Sequence, residues 1–311
     1  MTRYYLGIDG GGSNVRALII DDMLNTVASV THAQTANPSV VGRESAASVI
    51  RSAIRIALGR AKLSADQIHA VGLGIAGASA EHSADWLHET AHAALPHAHV
   101  AASSDIEIAL VGAQAKRLGV IVLAGTGSAA YGVNTHGESV LVGGWGYLLG
   151  DEGGGFWLGL QALKHAAHDY DTRPASPSRL SQQVLESLKL SSGRGLIGYT
   201  YGTGKTDVRG IAELASLVLE ACASGEPNAA RIVEQAADAL AELVRLTQKR
   251  LNMPHDPHGI AFAGGLLQNE TPLSRRLCER LHLDYPPLPL HPPVMGAALL
   301  AKLTYEENKA C

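Results

Sequence analysis

The stretch that decides the fold is YYLGIDGGGSNVRALII, residues 4–20. It predicts a strand, a glycine-rich turn over residues 9–14 and a returning strand, because apolar and β-branched residues resume directly after the turn. A Rossmann fingerprint or a P-loop would be followed by a helix, which excludes both here. The backbone amides of such a turn form a nest for anionic oxygens. An ordinary glycine-rich hairpin would have the same pattern.

Asp9 stands at the end of the first predicted strand and faces the turn. A carboxylate beside a phosphate repels it unless a divalent cation lies between the two groups. The sequence therefore predicts that Asp9 holds Mg²⁺ through water. The residues predicted to cradle phosphate in this turn are Gly10, Gly11, Gly12, Ser13 and Asn14.

The same pattern recurs in VIVLAGTGSAAYGV, residues 120–133. A duplicated strand–turn–strand unit predicts two similar domains that face each other, each giving a phosphate-binding turn to the cleft between them. A third segment, GIAFAGGLL at residues 259–267, is an apolar strand that ends in a Gly-Gly turn before a helix, and that turn would pass under a flat base. The predicted nucleotide ligands in these segments are Gly125, Thr126, Gly127, Ser128, Gly264 and Gly265.

A fourth segment, the richest in glycine, is GGWGYLLGDEGGGFW, residues 143–157. Glycine lets the backbone approach a ligand or adopt positive φ at an entropic cost, so this density indicates that the main chain shapes a pocket. Asp151 and Glu152 would be the polar groups of that pocket. The alternative is a surface loop that carries two solvated acids.

In their order along the chain, these segments resemble the sugar kinases of the actin, heat-shock chaperone and hexokinase superfamily. The chain is most similar to the N-acetylglucosamine kinase and BadF/BadG-type ATPase family. The resemblance implies an α/β fold of two RNase H-like domains around a nucleotide and sugar cleft. It also implies phosphoryl transfer from ATP to the 6-hydroxyl of an amino sugar. The segments that carry the resemblance are residues 7–13, 72–78, 104–105, 125–128, 144–146, 150–153 and 263–265.

Asp105 aligns with the catalytic base of that family. An acid at a strand end that opens a helix points into the crevice of an α/β unit, and phosphoryl transfer needs a carboxylate to receive the hydroxyl proton. The alternative is a helix N-cap after Ser103 and Ser104, a position that favours Asp. By the resemblance, the sugar ligands are Asn37, Gly77, Ala78, Asp105, Thr126, Gly144, Trp145 and Asp151.

Two candidate ligands, Asn37 and Lys205, have alternative interpretations, and one position, Gly154, departs from the family. Asn37 precedes a proline and is also a typical turn former. Lys205 is the second-last residue of a segment, residues 198–206, that imitates a P-loop out of register; it is a candidate phosphate contact or a solvated loop lysine. The family often has Ser where this chain has Gly154, which removes a hydroxyl from the sugar region.

Two other functions are alternatives to a sugar kinase. One is a nucleotide-switched ATPase or activator that acts on a protein partner, although Cys222, Cys278 and Cys311 lack the close spacing that an iron–sulfur activator needs. The other is a zinc hydrolase, since His88 to His92 fits the H-E-x-x-H pattern. That pattern also needs a third ligand and a longer helix than Pro96 allows.

Composition limits the partners. A net charge of −4 and a pI near 6.4 argue against nucleic acid. The sequence has no apolar run of the roughly 18 residues that a membrane span needs, and the chain enters its first strand without a secretory signal. We therefore expect a cytoplasmic protein, and the resemblance implies a homodimer that binds ATP and a small sugar.

The predicted first domain covers residues 1–115 together with a C-terminal helix in residues 294–311, and the second covers residues 116–293. The first domain contains an amphipathic helix before a strand at residues 68–75. Helices are predicted at residues 45–58, 156–168, 182–190, 211–223, 227–251, 272–281 and 294–303.

Overall fold

A computed structural model describes residues 2–78, 83–202, 204, 206–254, 256 and 259–310. The chain divides into two units, each with its own internal contacts. Unit 1 is Met1–Gly119 with Pro289–Cys311, and unit 2 is Val120–Leu288. No helix among the described residues is both long enough and apolar enough to cross a bilayer.

Unit 1 contains a five-stranded mixed sheet in the order β3-β2-β1-β4-β5. β1 pairs antiparallel with β2 and parallel with β4, and β4 pairs parallel with β5, so β1, β4 and β5 end at one edge. Apolar side chains fill both faces of β1, because helices cover both. The strands are β1 Tyr4–Gly10, β2 Val15–Asp21, β3 Thr26–His32, β4 Ile68–Ile75 and β5 His99–Ser103.

Helices pack on both faces of the unit 1 sheet. Ile50 and Ile54 of α2 join Leu6 and Ile8 of β1 in one buried cluster. Ala298, on α12, joins a second cluster with residues of β1, β2 and β4. The helices of this unit are α1 Pro38–Val41, α2 Arg43–Ala61, α3 Ser83–His92, α4 Asp105–Gln114 and α12 Pro293–Ala310.

Unit 2 contains a four-stranded sheet in the order β8-β7-β6-β9. β7 pairs antiparallel with β8, and β6 pairs parallel with β9, as β2 pairs with β3 and β1 with β4 in unit 1. The two sheets therefore repeat one order, third-second-first-fourth, which confirms the predicted α/β class. The strands are β6 Gly119–Ala124, β7 Ser128–Val133, β8 Ser139–Gly143 and β9 Ile260–Ala263.

The helices of unit 2 enclose one large apolar cluster. The predicted single helix over residues 211–223 is wrong, because the chain forms two helices that meet at Leu214, whose N–H bonds to Ile211 in a tighter turn. The helices are α5 Gly155–Thr172, α6 Arg179–Ser187, α7 Gly195–Tyr201, α8 Val208–Glu213, α9 Ala215–Ala223, α10 Pro227–Arg250 and α11 Pro272–Leu281.

A buried acid on α5 fixes the loop that follows this helix. Asp169 accepts hydrogen bonds from Arg173 Nε at 2.8 Å, the backbone N–H of Ser178 at 2.8 Å and Ser181 Oγ at 2.6 Å. Burial alone would raise the pKa of Asp169, but these hydrogen bonds outweigh it and hold the pKa well below the usual range. Asp169 is therefore a structural acid.

Candidate active site

Asp9, at the carboxyl end of β1, is an acid of unit 1 that is 8% exposed. Its Oδ2 atom accepts a hydrogen bond from Arg16 Nη1 at 3.2 Å. Burial raises the pKa of Asp9, the charge and hydrogen bond of Arg16 lower it, and the nearby charge of Asp105 raises it, with a net pKa above the usual value. The protein thus offsets the negative charge of the Asp9 carboxylate only in part.

Arg16 is the residue of this site that sequence reasoning missed. It lies on β2 directly opposite Asp9 in the antiparallel register. A charged residue between Val15 and Ala17, in an otherwise apolar strand, is the signal that identifies it once the hairpin register is counted back from the turn.

The turn between β1 and β2 is closed by its own backbone and by a neighbouring loop. The N–H of Gly11 donates to the carbonyl of Asn14 at 3.1 Å, and Thr35 Oγ1 donates to the carbonyl of Gly11 at 3.0 Å. Gly12 and Ser13 at the tip are exposed. The predicted phosphate cradle of unit 1 is therefore a fixed turn with an open tip.

Asn37 lies beside Gly77, so the structure brings two predicted sugar ligands together. A Cβ on Gly77 would lie 2.5 Å from Asn37 Oδ1. Asn37 also caps α1, because its Oδ1 accepts the N–H of Ser39 at 2.9 Å. Ala78 is 8% exposed and belongs to the apolar cluster, so this predicted sugar ligand is almost wholly buried.

Asp105 is the first residue of α4 and follows the end of β5. The helix cap is Ser104, whose Oγ accepts the N–H of Glu107 at 3.2 Å, so the predicted alternative of Asp105 as the N-cap is wrong. Asp105 is exposed to solvent, and its Oδ1 accepts the N–H of Ile106 at 3.0 Å. Partial desolvation raises the pKa of Asp105 against the effect of that hydrogen bond.

In unit 2, the turn after β6 is bound to the segment that opens α5. The N–H groups of Gly155 and Phe156 donate to the carbonyls of Gly125 and Thr126 at 2.8 and 2.9 Å. Ser128 Oγ donates to the carbonyl of Glu152 at 2.7 Å. Two stretches that are distant in sequence therefore form one rigid structure.

Asp151 touches this turn. A Cβ on Gly127 would lie 2.1 Å from Asp151 Oδ2, and a Cβ on Gly154 would lie 2.6 Å from the carbonyl carbon of Gly127. The second contact gives a physical reason for Gly154, because a serine there would displace the turn. Asp151 itself has φ of 64°, and desolvation raises its pKa against hydrogen bonds from the N–H groups of Gly146 and Ser128.

The loop before Asp151 exposes apolar side chains. Trp145 is 73% exposed, and Leu148 and Leu149 are about as exposed. Gly144 has φ of 70°, and its N–H donates to the carbonyl of Ser128 at 2.9 Å. The predicted sugar ligands Gly144, Trp145 and Asp151 thus lie on one loop, and this loop packs against the turn at residues 125–128.

The turn after β9 also joins this group in unit 2. Gly264 has φ of 90°, and the N–H of Leu266 donates to the carbonyl of Ala124 at 3.2 Å. Gly265 is exposed. Ala124 and Gly264 thus bring the ends of β6 and β9 side by side. Lys205, the remaining predicted nucleotide ligand, lies outside the described residues.

Those residues of the two alternative functions that the structure describes do not form a metal site; Cys311 lies outside the described residues. The rings of His88 and His92 have centroids 6.3 Å apart on α3, which ends at His92. Across the described residues, no group of three or more His, Cys, Asp or Glu side chains could hold a metal ion. Burial raises the pKa of Cys278 to about 11, which is typical of an inert thiol.

A family model covers nearly the whole chain. Residues 6–301 match the BadF/BadG/BcrA/BcrD ATPase family. This chain is a member of that family. The resemblance found in the sequence is therefore confirmed.

Curated members and a solved structure agree with this assignment. The chain is 31% identical, over 96% of its length and 98% of the relative, to an N-acetylmuramic acid/N-acetylglucosamine kinase of Clostridium acetobutylicum. It is 28% identical, over 96% of its length and 97% of the relative, to an N-acetyl-D-glucosamine kinase of Dictyostelium discoideum. A candidate N-acetylglucosamine kinase of Chromobacterium violaceum has a structure with TM-score 0.73 at 28% identity, covering 96% of this chain and 98% of that one.

Proposed function

We propose that this ATPase-family protein is a kinase that transfers the γ-phosphoryl group of ATP to the 6-hydroxyl of an amino sugar, N-acetylglucosamine or glucosamine. The observation that carries the proposal is a pair of acids in unit 1. Asp9 lies at the end of β1 before the turn at residues 10–14, and Asp105, at the start of α4, is close enough for its charge to raise the pKa of Asp9. The kinase names of the two curated relatives support it.

Asp105 would act as the general base. Its open carboxylate would receive the proton of the attacking hydroxyl as the new bond to phosphorus forms. A raised pKa brings this base closer to the working pH and makes it a better proton acceptor than an ordinary aspartate. We assign it a contribution of about 10²- to 10⁴-fold in rate.

ATP would be held by backbone amides rather than by a basic pocket. The turn at residues 10–14 in unit 1 and the turn at residues 125–128 in unit 2 would each meet phosphate oxygens. Gly264 and Gly265 would approach the adenine or its ribose. Bound ATP supplies the phosphoryl group, and the chain's own part is to orient that group and the hydroxyl.

Mg²⁺ fits Asp9. This ion keeps several waters and binds one or two carboxylates together with substrate phosphates, so it needs no closed protein cage. That agrees with a single carboxylate whose charge the protein compensates only in part, and with the lack of a three-ligand cluster among the described residues. The ion would reduce repulsion between the acids of unit 1 and the phosphates.

The sugar would be bound through hydroxyl recognition. A carboxylate or amide pairs with two neighbouring hydroxyls, which suits Asp151 and Asn37. Gly77, Ala78, Thr126 and Gly144 would contribute backbone groups, and the exposed face of Trp145 would pack on the apolar side of the ring.

The test is ADP release by the purified protein with ATP, Mg²⁺ and a panel of sugars: N-acetylglucosamine, glucosamine, N-acetylmuramic acid and glucose. We expect turnover with at least one amino sugar and little with glucose. Two-dimensional ¹H–³¹P NMR of the product should couple phosphorus to the C6 protons. ADP release that no sugar accelerates would favour a nucleotide-switched ATPase, and a phosphate at C1 would reject the 6-hydroxyl.

A further inference from the structure

The first turn of α4 holds a second acid, Glu107, two residues after Asp105. Asp105 is exposed, whereas Glu107 is 9% exposed. Residues two apart on a helix point in nearly opposite directions, so one acid projects outward while the other anchors the buried face. A carboxylate this buried needs hydrogen-bond partners.

Both carboxylate oxygens of Glu107 accept short hydrogen bonds. Ser103 Oγ donates to Oε2 at 2.7 Å, and Arg117 Nε donates to Oε1 at 2.6 Å. Ser103 is the last residue of β5, and Arg117 follows the end of α4. One side chain therefore ties the start of α4 to the strand before it and to the segment after it.

The remaining hydrogen bonds of this turn are local. Ser104 Oγ accepts the N–H of Glu107 at 3.2 Å, and Asp105 Oδ1 accepts the N–H of Ile106 at 3.0 Å. These bonds close the turn but do not connect it to other elements. The rotation of the turn about the helix axis directs the Asp105 carboxylate. Packing of Ile108 against Gly74 and α12 seats the helix, and the bonds of Glu107 to Ser103 and Arg117 hold its first turn to the strand before it and to the segment after it.

We propose that Glu107 is a positioning residue that aims Asp105 at the sugar hydroxyl. This rests on the proposed role of Asp105 as the base. Glu107 would touch neither substrate nor reacting atom. Its loss would act on the geometry of proton transfer, where a misplacement of about 1 Å costs up to about 10²-fold.

The test compares steady-state kinetics of Glu107→Gln, Ser103→Ala and Ser103→Thr with the wild type. Glutamine keeps the length but loses the charge that Arg117 meets, and threonine keeps the hydroxyl that alanine removes. We expect kcat of Glu107→Gln to fall about 5- to 20-fold, with KM for ATP and sugar within about twofold, because an interaction that matters in the transition state is weakened. Ser103→Ala should lose about threefold in kcat, and Ser103→Thr should restore it.

A matched control is Glu89→Gln on α3, an exposed acid that should leave all constants unchanged. Wild-type kcat in Glu107→Gln overturns the proposal, as does a loss that appears equally in KM or as a lowered fraction of folded enzyme. If Glu107→Gln does not fold, the Ser103 pair decides, and equal kcat for alanine and threonine overturns it.

The failure of the proposed function has a separate signature. A wild type that phosphorylates no amino sugar overturns both proposals. An active wild type with an Asp105→Asn variant of full kcat keeps the kinase function but removes Asp105 as the base, and with it the positioning role of Glu107. An active wild type and an inactive Asp105→Asn variant, together with an unaffected Glu107→Gln variant, overturn the positioning role alone.

Discussion

The sheets of the two units have the same strand order, but they differ in the residue that precedes the turn after the first strand. In unit 1 the strand ends in Asp9 before the glycine turn, and in unit 2 the equivalent residue is Ala124. Unit 2 carries its acid, Asp151, on a loop that packs against the turn. A shared scaffold thus provides a turn in each unit, and the acids differ in where they are attached.

A second difference separates acids that are available for chemistry from those that hold the fold. The pKa of Asp9 and of Asp105 in unit 1 is raised, because the desolvation of each carboxylate outweighs its few hydrogen bonds. The pKa of Asp169 in unit 2 is lowered by hydrogen bonds that outweigh its burial. Carboxylates that the protein leaves under-compensated are the better candidates for catalysis.

The largest expected effect is on the base of unit 1. Asp105→Asn keeps the shape of the side chain but removes the proton acceptor, so kcat should fall about 10²-fold or more. Initial-rate assays at saturating ATP and sugar measure it, with Glu89→Gln as the control. A variant within a few fold of wild-type kcat would show that this acid has no catalytic role.

Asp169→Asn should instead change stability. It removes the charge from the hydrogen bonds with Arg173, Ser178 and Ser181. Because the Arg173 that remains is half-exposed and solvated, the free energy of unfolding should fall by about 1–3 kcal/mol. Urea unfolding measures this, and Asp105→Asn should show no comparable loss. Equal stabilities of the two variants would remove the distinction between structural and catalytic acids.

The lowered pKa of Asp169 also determines how its contribution to the free energy of unfolding depends on pH. The folded pKa of Asp169 is lowered, so its contribution is fully present above the unfolded value of about 3.9 and is lost as pH falls further. The difference in unfolding free energy between wild type and Asp169→Asn should therefore shrink as pH falls below about 4. A constant difference down to pH 2 would contradict the lowered pKa.

The turn at residues 125–128 in unit 2 should not tolerate even the addition of a methyl group at Gly127. A Cβ on Gly127 would meet Asp151 Oδ2, so Gly127→Ala should displace the turn and weaken ATP binding about tenfold, or about 1.4 kcal/mol. Calorimetric titration with a non-hydrolysable ATP analogue measures it. Gly59→Ala is the control, because a Cβ there has open space in α2. Wild-type affinity in Gly127→Ala would exclude this turn from the nucleotide site.

The smallest expected effect is a shift along the pH axis. Protonation of Asp105 removes the base, so kcat/KM should fall on the acid side, with an apparent pKa above the ordinary aspartate value because Asp105 is partly desolvated. A pH–rate profile with the preferred sugar measures it. A profile that stays flat down to the ordinary aspartate range would contradict the raised pKa.

The sequence predicts the parts of this fold that local chemistry determines. Both hairpins, the strand at residues 68–75 and the helix at residues 272–281 follow from apolar periodicity and turn residues, and the structure contains them. The break at Leu214 was not predictable in this way, because the apolar pattern continues through it. Tertiary packing decides such breaks.

Some features of the candidate site can likewise be predicted from the sequence, and others depend on tertiary packing. The glycine turns and strand-end acids stand out in the sequence, but the pairing of Arg16 with Asp9 depends on strand register. The contact of Gly127 with Asp151 depends on how two distant segments pack. The buried side chain of Ala78 likewise follows from packing rather than from its neighbours in sequence.

The most direct test of Asp105 as the catalytic base is the dissociation constant of the ATP analogue, measured by calorimetry on the same Asp105→Asn preparation used for kinetics. The proposed roles predict a constant within about threefold of wild type despite the roughly 10²-fold loss in kcat. A loss of nucleotide affinity as large as the loss in kcat would contradict Asp105 as the base and make it a binding residue.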